Sequence, residues 1–195
     1  ILADLQGSKL RIGDVVDDTN LNFGEKITIK TDKSFKGNKN KLFLNYQNLA
    51  KDINKGEKIL IDDGKIILKV IDTDGKHEVT AEVLQGGELS SNKGFNLPNT
   101  NISQPALTDK DIDDAIFSAK HNVDWIALSF VRNGSDIKSL VELLENNTSH
   151  RIPIIAKIEK PEGVKNIDEI MKYSSGVMVA RGDLGVEINA AEVPL

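Results

Sequence analysis

Two patterns of hydrophobic and polar residues divide the chain. Between residue 11 and about residue 94, apolar and polar residues alternate in short runs, most regularly at 25–31, 57–72 and 76–84. Alternation with a period of two, bounded by Gly and Asp, is typical of antiparallel strands joined by hairpins. This part of the chain is therefore predicted to form a small all-β domain.

In the remainder of the chain, nearly continuous apolar runs alternate with amphipathic segments. A short buried strand is predicted at 1–4, before the all-β region. Apolar strands that alternate with helices imply a parallel α/β sheet or a (β/α) barrel, and Trp125 is expected in its core. After the all-β region the predicted elements are, in order, a helix beginning at Thr108, a strand at 123–131, a helix at 134–145, a strand at 152–159, a helix at 163–173, a strand at 175–183 and the start of a helix at Asp183.

A hairpin turn is predicted at Asp62, Asp63 and Gly64, between two runs of the all-β region. Asp and Gly tolerate the positive φ angles that tight turns require. The alternative for Asp63 is a role in ligand binding. Further on, segment 93–105 is rich in Asn, Gly and Pro and has no periodicity, which predicts a linker returning from the all-β domain.

Composition excludes several classes of protein. The hydrophobic fraction of 39% and the charged fraction of 28% are ordinary, and no apolar run approaches the roughly 20 residues that span a bilayer. The absence of Cys excludes disulfides and thiolate metal sites, and it fits a reducing compartment. A net charge of -5 gives no electrostatic footprint for nucleic acid. Because the chain opens on an apolar run without Met and stops within a predicted helical region, we expect a fragment of a longer protein.

Charged residues follow two successive predicted strands, at the edge of the sheet where ligands bind in α/β folds. Lys157 and Glu159 are two residues apart and share one face of the first strand, and Asp183 follows the second. Because neighbouring parallel strands are about 4.8 Å apart, Glu159 and Asp183 are expected to converge on one cation. Two carboxylates plus substrate oxygens are typical of Mg²⁺. The alternative is that these charges form surface ion pairs.

Two further groups of residues suggest that an anion binds. Gly182 and Gly185 flank Asp183 at a predicted helix N-terminus, where exposed amides favour a carboxylate or phosphate. A simple Asp cap on that helix is the alternative. Arg11 and Lys93 bracket the all-β region and are candidates to place positive charge over the site, although solvated surface cations are more common.

Taken together, six segments resemble the pyruvate kinase family along essentially the whole chain. They are ILADLQGSKLRIG, ILIDDG, KGFNLPNTNISQPALTDKD, DWIALSFVR, IIAKIEKPEGV and GVMVARGDLGVE. The resemblance implies an α/β fold, part of a TIM (β/α)₈ barrel interrupted by an inserted small β-barrel lid. Its implied boundaries are a barrel strand at 1–8, the lid at 9–95 and the barrel continuation at 96–195.

The resemblance also implies an activity, which is Mg²⁺-dependent phosphoryl transfer from phosphoenolpyruvate to ADP, giving pyruvate and ATP. Mn²⁺ is an implied substitute for Mg²⁺. The implied parent protein is a glycolytic, cytoplasmic homotetramer that uses neither nucleic acid nor membrane. The barrel strands before and after this chain are absent, so we expect the fragment alone to be inactive, because four of eight strands cannot close a barrel.

By resemblance, the barrel residues have specific roles. Lys157 matches the lysine that stabilises charge on the transferring phosphoryl group and on the enolate. Glu159 and Asp183 match the Mg²⁺ ligands. Gly182 and Asp183 match the residues whose backbone amides hold the substrate carboxylate.

The implied lid residues are Arg11 and Lys93, which match cations that contact the nucleotide phosphates when the lid closes, and Asp63, which matches an acid facing the site. The monovalent-cation position departs from potassium-dependent members. Those members have Thr at the position of Leu5 and Glu at the position of Lys9, and Asp4 matches a ligand of their cation. Leu5 removes an oxygen and Lys9 brings its own charge, so we expect an enzyme that does not require K⁺.

Two other functions are consistent with parts of the sequence. A metal-dependent aldolase or lyase that handles a pyruvate enolate would use the same barrel and carboxylates, but it has no nucleotide phosphates for Arg11 and Lys93 to neutralise. The other is a folded fragment without catalytic activity.

Overall fold

The two hydrophobic patterns correspond to two separate units in the computed structural model, which describes residues 1–189 and 191–194. The first, here called the α/β unit, comprises Ile1–Ser8 and Pro105–Leu195. The second, the β unit, comprises Lys9–Gln104. None of the helices in the described residues has the length and hydrophobicity of a membrane-spanning segment.

The strands of the described residues are, in chain order, β1 (Leu2–Leu5), β2 (Asn20–Leu21), β3 (Lys26–Lys30), β4 (Lys41–Phe43), β5 (Lys58–Ile61), β6 (Ile66–Thr73), β7 (Glu78–Gln85), β8 (Gly87–Glu88), β9 (Phe95–Asn96), β10 (Trp125–Leu128), β11 (Ile154–Ile158) and β12 (Gly176–Val179). The helices are α1 (Leu49–Asp52), α2 (Asp109–Lys120), α3 (Gly134–Glu145), α4 (Pro161–Lys165), α5 (Ile167–Tyr173) and α6 (Arg181–Glu187).

The α/β unit contains a four-stranded sheet in the order β1-β10-β11-β12, and all three pairings are parallel. The predicted parallel α/β sheet is therefore confirmed. Asp4 lies beside Ala127, and Lys157 lies beside Met178. Because the strands run in one direction, their carboxyl ends lie along a single edge of the sheet.

Helices α2, α3 and α5 bury their apolar stripes against this sheet, as their periodicity predicts. The buried residues that form this core are Leu5, Ala115, Ala119, Ile126, Leu128, Val131, Ile137, Leu140, Leu144, Ile152, Ile154, Ala156, Ile158 and Ile170. Helix α3 has the predicted bounds.

Thr108 is the N-cap of α2, as predicted, and forms a capping box with Asp111. The Asp111 amide donates to Thr108 Oγ1 at 3.1 Å, and the Thr108 amide donates to Asp111 Oδ2 at 3.0 Å. Asp111 is fully buried and also accepts a hydrogen bond from the Gly7 amide at 3.0 Å. Gly7 has φ of 69°, and a Cβ there would lie 3.0 Å from Phe130 and Ser129. The turn after β1 is thus fastened to the start of α2.

Some predicted elements are wrong in detail. The helix predicted at 163–173 is two helices, because Asn166 ends α4 and begins α5 while its side chain donates to the Arg132 carbonyl at 2.8 Å. Trp125 is 39% exposed rather than in the core, because it is the first residue of β10 and lies beside the equally exposed Leu2. The strand at 1–4 was predicted to be buried, but Leu5 is the residue of β1 that enters the core.

The β unit contains a six-stranded sheet in the order β4-β3-β7-β6-β5-β9 and a two-stranded sheet of β2 and β8. The pairings are antiparallel except that of β3 with β4. Alternate residues of the longer strands are buried, for example in β7, so the period-two pattern matches the core face.

Residues 96–104 pack on the β unit rather than forming a linker, so the boundary predicted after residue 95 differs from the observed division. Leu97 is 2% exposed within the core of the β unit. Thr100 Oγ1 donates to Glu57 Oε2 at 2.6 Å, and the Ser103 amide donates to Asp52 Oδ2 at 2.8 Å. An irregular segment can be held by such isolated contacts, which leave no periodicity in the sequence.

We expect Leu97→Ala to lower the free energy of unfolding by about 2–5 kcal/mol, as for other buried Leu residues. Val16→Ala is the control, because Val16 lies in the same unit but is 46% exposed, and it should change this free energy by less than about 0.5 kcal/mol. Denaturant unfolding measures both. Equal, small effects would show that Leu97 belongs to a linker.

Candidate functional site

Lys157 is the centre of a cluster at the carboxyl ends of β1, β10 and β11. Its Nζ atom lies 3.0 and 3.1 Å from the two carboxylate oxygens of Asp4 in β1. It also donates to Ser129 Oγ at 2.9 Å, and Ser129 directly follows β10. Only 13% of the Lys157 side chain is exposed. Three neighbouring strands therefore hold one ammonium group at the edge where the sequence predicted a site.

Glu159 lies beside this lysine and is 2% exposed. Its Oε1 atom is 3.4 Å from Lys157 Nζ, and its Oε2 atom accepts a hydrogen bond from the Phe130 amide at 2.7 Å. Phe130 has φ of 57°, which is unusual for a bulky residue and is typical of backbone held in place at functional sites. A surface ion pair, the alternative for Glu159, is wrong because this carboxylate is buried.

Burial raises the pKa of Glu159, and the nearby Asp183 charge raises it further. The hydrogen bond from the Phe130 amide and the Lys157 charge lower this pKa, but they do not cancel the rise. The structure therefore brings the two predicted metal ligands within electrostatic reach of each other. A cation between them would relieve the repulsion that disfavours their joint ionisation.

Burial lowers the pKa of Lys157, but the hydrogen bond to Asp4 and the charges of Glu159 and Asp4 outweigh it, so the pKa is raised overall. Lys157 therefore carries its charge throughout the neutral range. The contribution of this group to stability is fully present below the pKa of the unfolded chain and is lost as the pH rises through the raised folded value.

Gly182 and Asp183 lie in the first turn of α6, which begins at Arg181, two residues before the predicted start. Ala180 is the N-cap residue of this helix, so Asp183 is not at the N-cap position itself. A Cβ on Gly182 would meet nothing within 4 Å. The backbone at Gly182 is therefore open to a ligand.

The donor set fits Mg²⁺. Within residues 1–189 and 191–194, no group of three or more His, Cys, Asp or Glu side chains converges as a complete metal site. Mg²⁺ commonly binds through one or two carboxylates and completes its shell with water and substrate oxygens. A structural zinc site, by contrast, needs four protein ligands.

In the β unit, Asp62, Asp63 and Gly64 form the predicted turn, with φ angles of 52°, 55° and 83°. Asp62, which the sequence analysis assigned only to the turn, binds two lysines: Lys65 Nζ at 2.9 Å and Lys93 Nζ at 3.1 Å. Hydrogen bonds from Lys65 and then Lys93 lower the pKa of Asp62. Asp63 is exposed beside it.

Arg11 and Lys93 lie close together in the β unit. Arg11 pairs with Gly94 in an antiparallel bridge, and its Nη1 atom donates to the Asn92 carbonyl at 2.9 Å. The Asp62 amide donates to the Gly94 carbonyl at 3.1 Å, which joins the turn to the same place. The structure thus assembles Arg11, Lys93 and the Asp62–Gly64 turn from three distant parts of the chain.

Asp4, Leu5 and Lys9, the residues matched to the monovalent-cation position, lie in three different environments. Leu5 is 2% exposed and packs in the core of the α/β unit, and its hydrocarbon side chain has no oxygen to offer an ion. Asp4 binds the Lys157 ammonium group. Lys9 is half-buried and belongs to the β unit.

A cavity of about 800 Å³ lies at the opposite end of β11, where Ile154 begins the strand. Its polar lining includes Lys138, His150, Arg151, Lys172 and Tyr173. The carboxyl edge remains the better candidate for chemistry, because buried and mutually bonded charges converge there.

Sequence reasoning missed Ser129, Phe130 and Asp62. Ser129 is a polar residue ending an apolar strand, and that position was a usable signal. The Phe130 contact uses a backbone amide, which leaves no mark in the residue type.

The pKa of Asp62 offers a test of the lysine contacts. We expect it to lie below its ordinary value of 3.8, and to rise towards that value in Lys65→Met and, less strongly, in Lys93→Met. Its stabilising contribution should be present above the pKa of the unfolded chain and disappear as the pH falls through the folded value. Carboxyl NMR titration measures the shifts, with Lys58→Met on the exposed side of β5 as control. An ordinary pKa in the unmutated protein would contradict these contacts.

Comparisons with known proteins agree on one family. The family model for the barrel domain of pyruvate kinase matches residues 1–195. Pyruvate kinase of Corynebacterium glutamicum is 46% identical over 196 residues, covering 100% of this chain and 41% of that protein. Pyruvate kinase of Geobacillus stearothermophilus is 44% identical over 197 residues, covering 100% of this chain and 33% of that protein.

A crystal structure of a pyruvate kinase from Cryptosporidium parvum superposes with a TM-score of 0.92 at 36% sequence identity, covering 99% of this chain and 41% of that chain. The chain thus spans less than half the length of these relatives. Because the family model matches all of it, the chain belongs to the pyruvate kinase family.

Proposed function

We propose that the protein carrying this chain transfers a phosphoryl group from phosphoenolpyruvate to ADP, producing pyruvate and ATP. The observation that carries the proposal is the convergence of Lys157, Glu159 and the charge of Asp183 at the carboxyl edge of a parallel sheet in a chain of the pyruvate kinase family. Phosphoryl transfer requires mainly positioning and charge stabilisation from a protein, and this cluster offers both.

Glu159 and Asp183 are the residues that would hold Mg²⁺, with Mn²⁺ as a substitute. When bound, the divalent ion offsets negative charge on the transferred phosphoryl group. Two carboxylates leave room for substrate oxygens around such an ion. The raised pKa of Glu159 comes mainly from its burial and to a lesser extent from the Asp183 charge, and a bound cation would favour the ionised form of both carboxylates.

Lys157 is proposed to stabilise charge on the moving phosphoryl group and on the enolate. Asp4 and Ser129 orient its ammonium group, and its raised pKa keeps it charged at neutral pH. The amides of Gly182 and Asp183 are proposed to hold the substrate carboxylate. Support comes from the match to the family motif and from the open space at Gly182.

The β unit is proposed to act as a lid that contacts the nucleotide. Arg11 and Lys93 would bind the phosphates of ADP, with Asp63 facing the site. Their grouping within the β unit supports this role. The aldolase alternative provides no use for these cations.

The proposal extends to the setting of the enzyme. We propose a glycolytic, cytoplasmic homotetramer, on the basis of family membership and of the Cys-free sequence. Residues 1–195 alone are proposed to lack steady-state activity, because the edge strands β1 and β12 would leave the barrel open.

The activity is tested by coupled pyruvate formation from phosphoenolpyruvate, ADP and Mg²⁺, using the protein at its full natural length. We expect turnover, and we expect Lys157→Met to reduce kcat by at least about 10²–10³-fold, since it removes a group that stabilises developing charge. Lys120→Met at the end of α2 is the control and should retain full activity. Absence of turnover, or full activity of Lys157→Met, would refute the proposal. The 195-residue chain, assayed in parallel, should give no rate above background.

We further propose that K⁺ is not required, because Leu5 is buried without an oxygen and Lys9 carries a positive charge. Replacing KCl by tetramethylammonium chloride at constant ionic strength should leave kcat nearly unchanged. A many-fold stimulation by KCl would show the opposite. The double variant Leu5→Thr/Lys9→Glu restores the residues of potassium-dependent relatives, and it should become more sensitive to K⁺.

A further inference from the structure

A buried ion pair joins the two elements that carry the candidate Mg²⁺ ligands. Lys160 Nζ lies 2.5 Å from Glu187 Oε1, and the two side chains are 10% and 1% exposed. Lys160 directly follows Glu159 in the chain. Glu187 is the last residue of α6, the helix whose first turn contains Asp183.

The position of Glu187 on α6 allows its ion pair with Lys160 to fix the rotation of this helix. Residues spaced by four lie above one another on an α-helix, so Asp183 and Glu187 occupy the same side of α6. Leu184 and Glu187 are the buried residues of this helix. Leu184 is a buried apolar side chain, and apolar packing tolerates small rotations, whereas an ion pair requires a defined distance and direction. Holding Glu187 therefore fixes the rotation of α6 and with it the direction of Asp183.

Stability alone does not explain this pair. Removing two charges from water is costly, and well-packed apolar residues of similar volume often stabilise a protein equally well or better. The pair also determines the local charge. The charge of Lys160 offsets that of Glu187, so the pair adds no net formal charge beside Glu159 and Asp183.

We propose that Lys160 and Glu187 form a positioning pair that sets Asp183 relative to Glu159 and so determines the affinity of the divalent-cation site. This inference rests on the proposed function. Neither residue is assigned a contact with substrate, and both act through the ligand that neighbours them.

The test uses the protein at its full natural length and the double variant Lys160→Met/Glu187→Gln. This variant removes both charges together, so that neither is left buried alone. Mn²⁺ binding is measured by electron paramagnetic resonance, well below the melting temperature of each protein. Hydrogen exchange of residues 181–187 is measured without metal. Lys160→Arg keeps the pair, and Lys165→Met removes an exposed lysine of the same segment as the control.

We expect the double variant to bind Mn²⁺ about 10-fold or more weakly, the usual effect of losing an outer-shell partner. Hydrogen exchange in α6 should be faster, while Lys160→Arg and Lys165→Met should resemble the unmutated protein. Unchanged Mn²⁺ affinity in the double variant would overturn the inference while leaving the proposed function intact. If the unmutated protein neither binds Mn²⁺ nor turns over phosphoenolpyruvate, the proposed function fails and the inference fails with it. Should the double variant not fold, Glu187→Gln alone is judged by the same two measurements.

Discussion

Parallel pairing of β1, β10, β11 and β12 is the constraint on which the rest of the α/β unit depends. Each strand contributes few residues to the site, and none of them is functional alone. Because the strands share one direction and a fixed register, Asp4, Ser129 and Lys157 meet at one edge although they are far apart in the chain. Apolar residues of the same strands form the core, so the strand pairing that builds the core also brings the charged cluster together.

The two buried charges of this cluster, Glu159 and Lys157, differ in how far hydrogen bonds and neighbouring charges compensate for their loss of water. Glu159 loses most of its contact with water, and one backbone amide and one lysine only partly compensate for that loss. The loss of water is better compensated at Lys157, because Asp4 and Ser129 accept hydrogen bonds from its ammonium group. Ionised Glu159 is therefore left incompletely stabilised beside the Asp183 charge, which is the physical reason for assigning a cation to this place. Lys160 and Glu187 nearby form an ion pair of opposite charges, so together they add no net formal charge to the cluster.

Sequence patterns predicted those features that depend on local spacing. The two-residue interval between Lys157 and Glu159, the cap at Thr108 and the bounds of α3 belong to this class. Features created by tertiary contact were not predictable. The Phe130 amide becomes a partner of Glu159 through a left-handed backbone angle, and Lys160 meets Glu187 across 27 positions of the chain. Segment 96–104 was misassigned for the same reason, since isolated anchors such as Leu97 have no period.

The hydrogen bond from Gly7 to Asp111 has a consequence for the evolution of the chain. It joins the residues on either side of the β unit across 104 positions, within the α/β unit itself. Closing a loop costs entropy that grows only with the logarithm of its length, so each doubling adds about 0.6 kcal/mol. Because the Gly7–Asp111 hydrogen bond joins the two ends of the α/β unit between which the β unit lies, the length of that intervening segment can change with little effect on the stability of the sheet that carries the charged cluster.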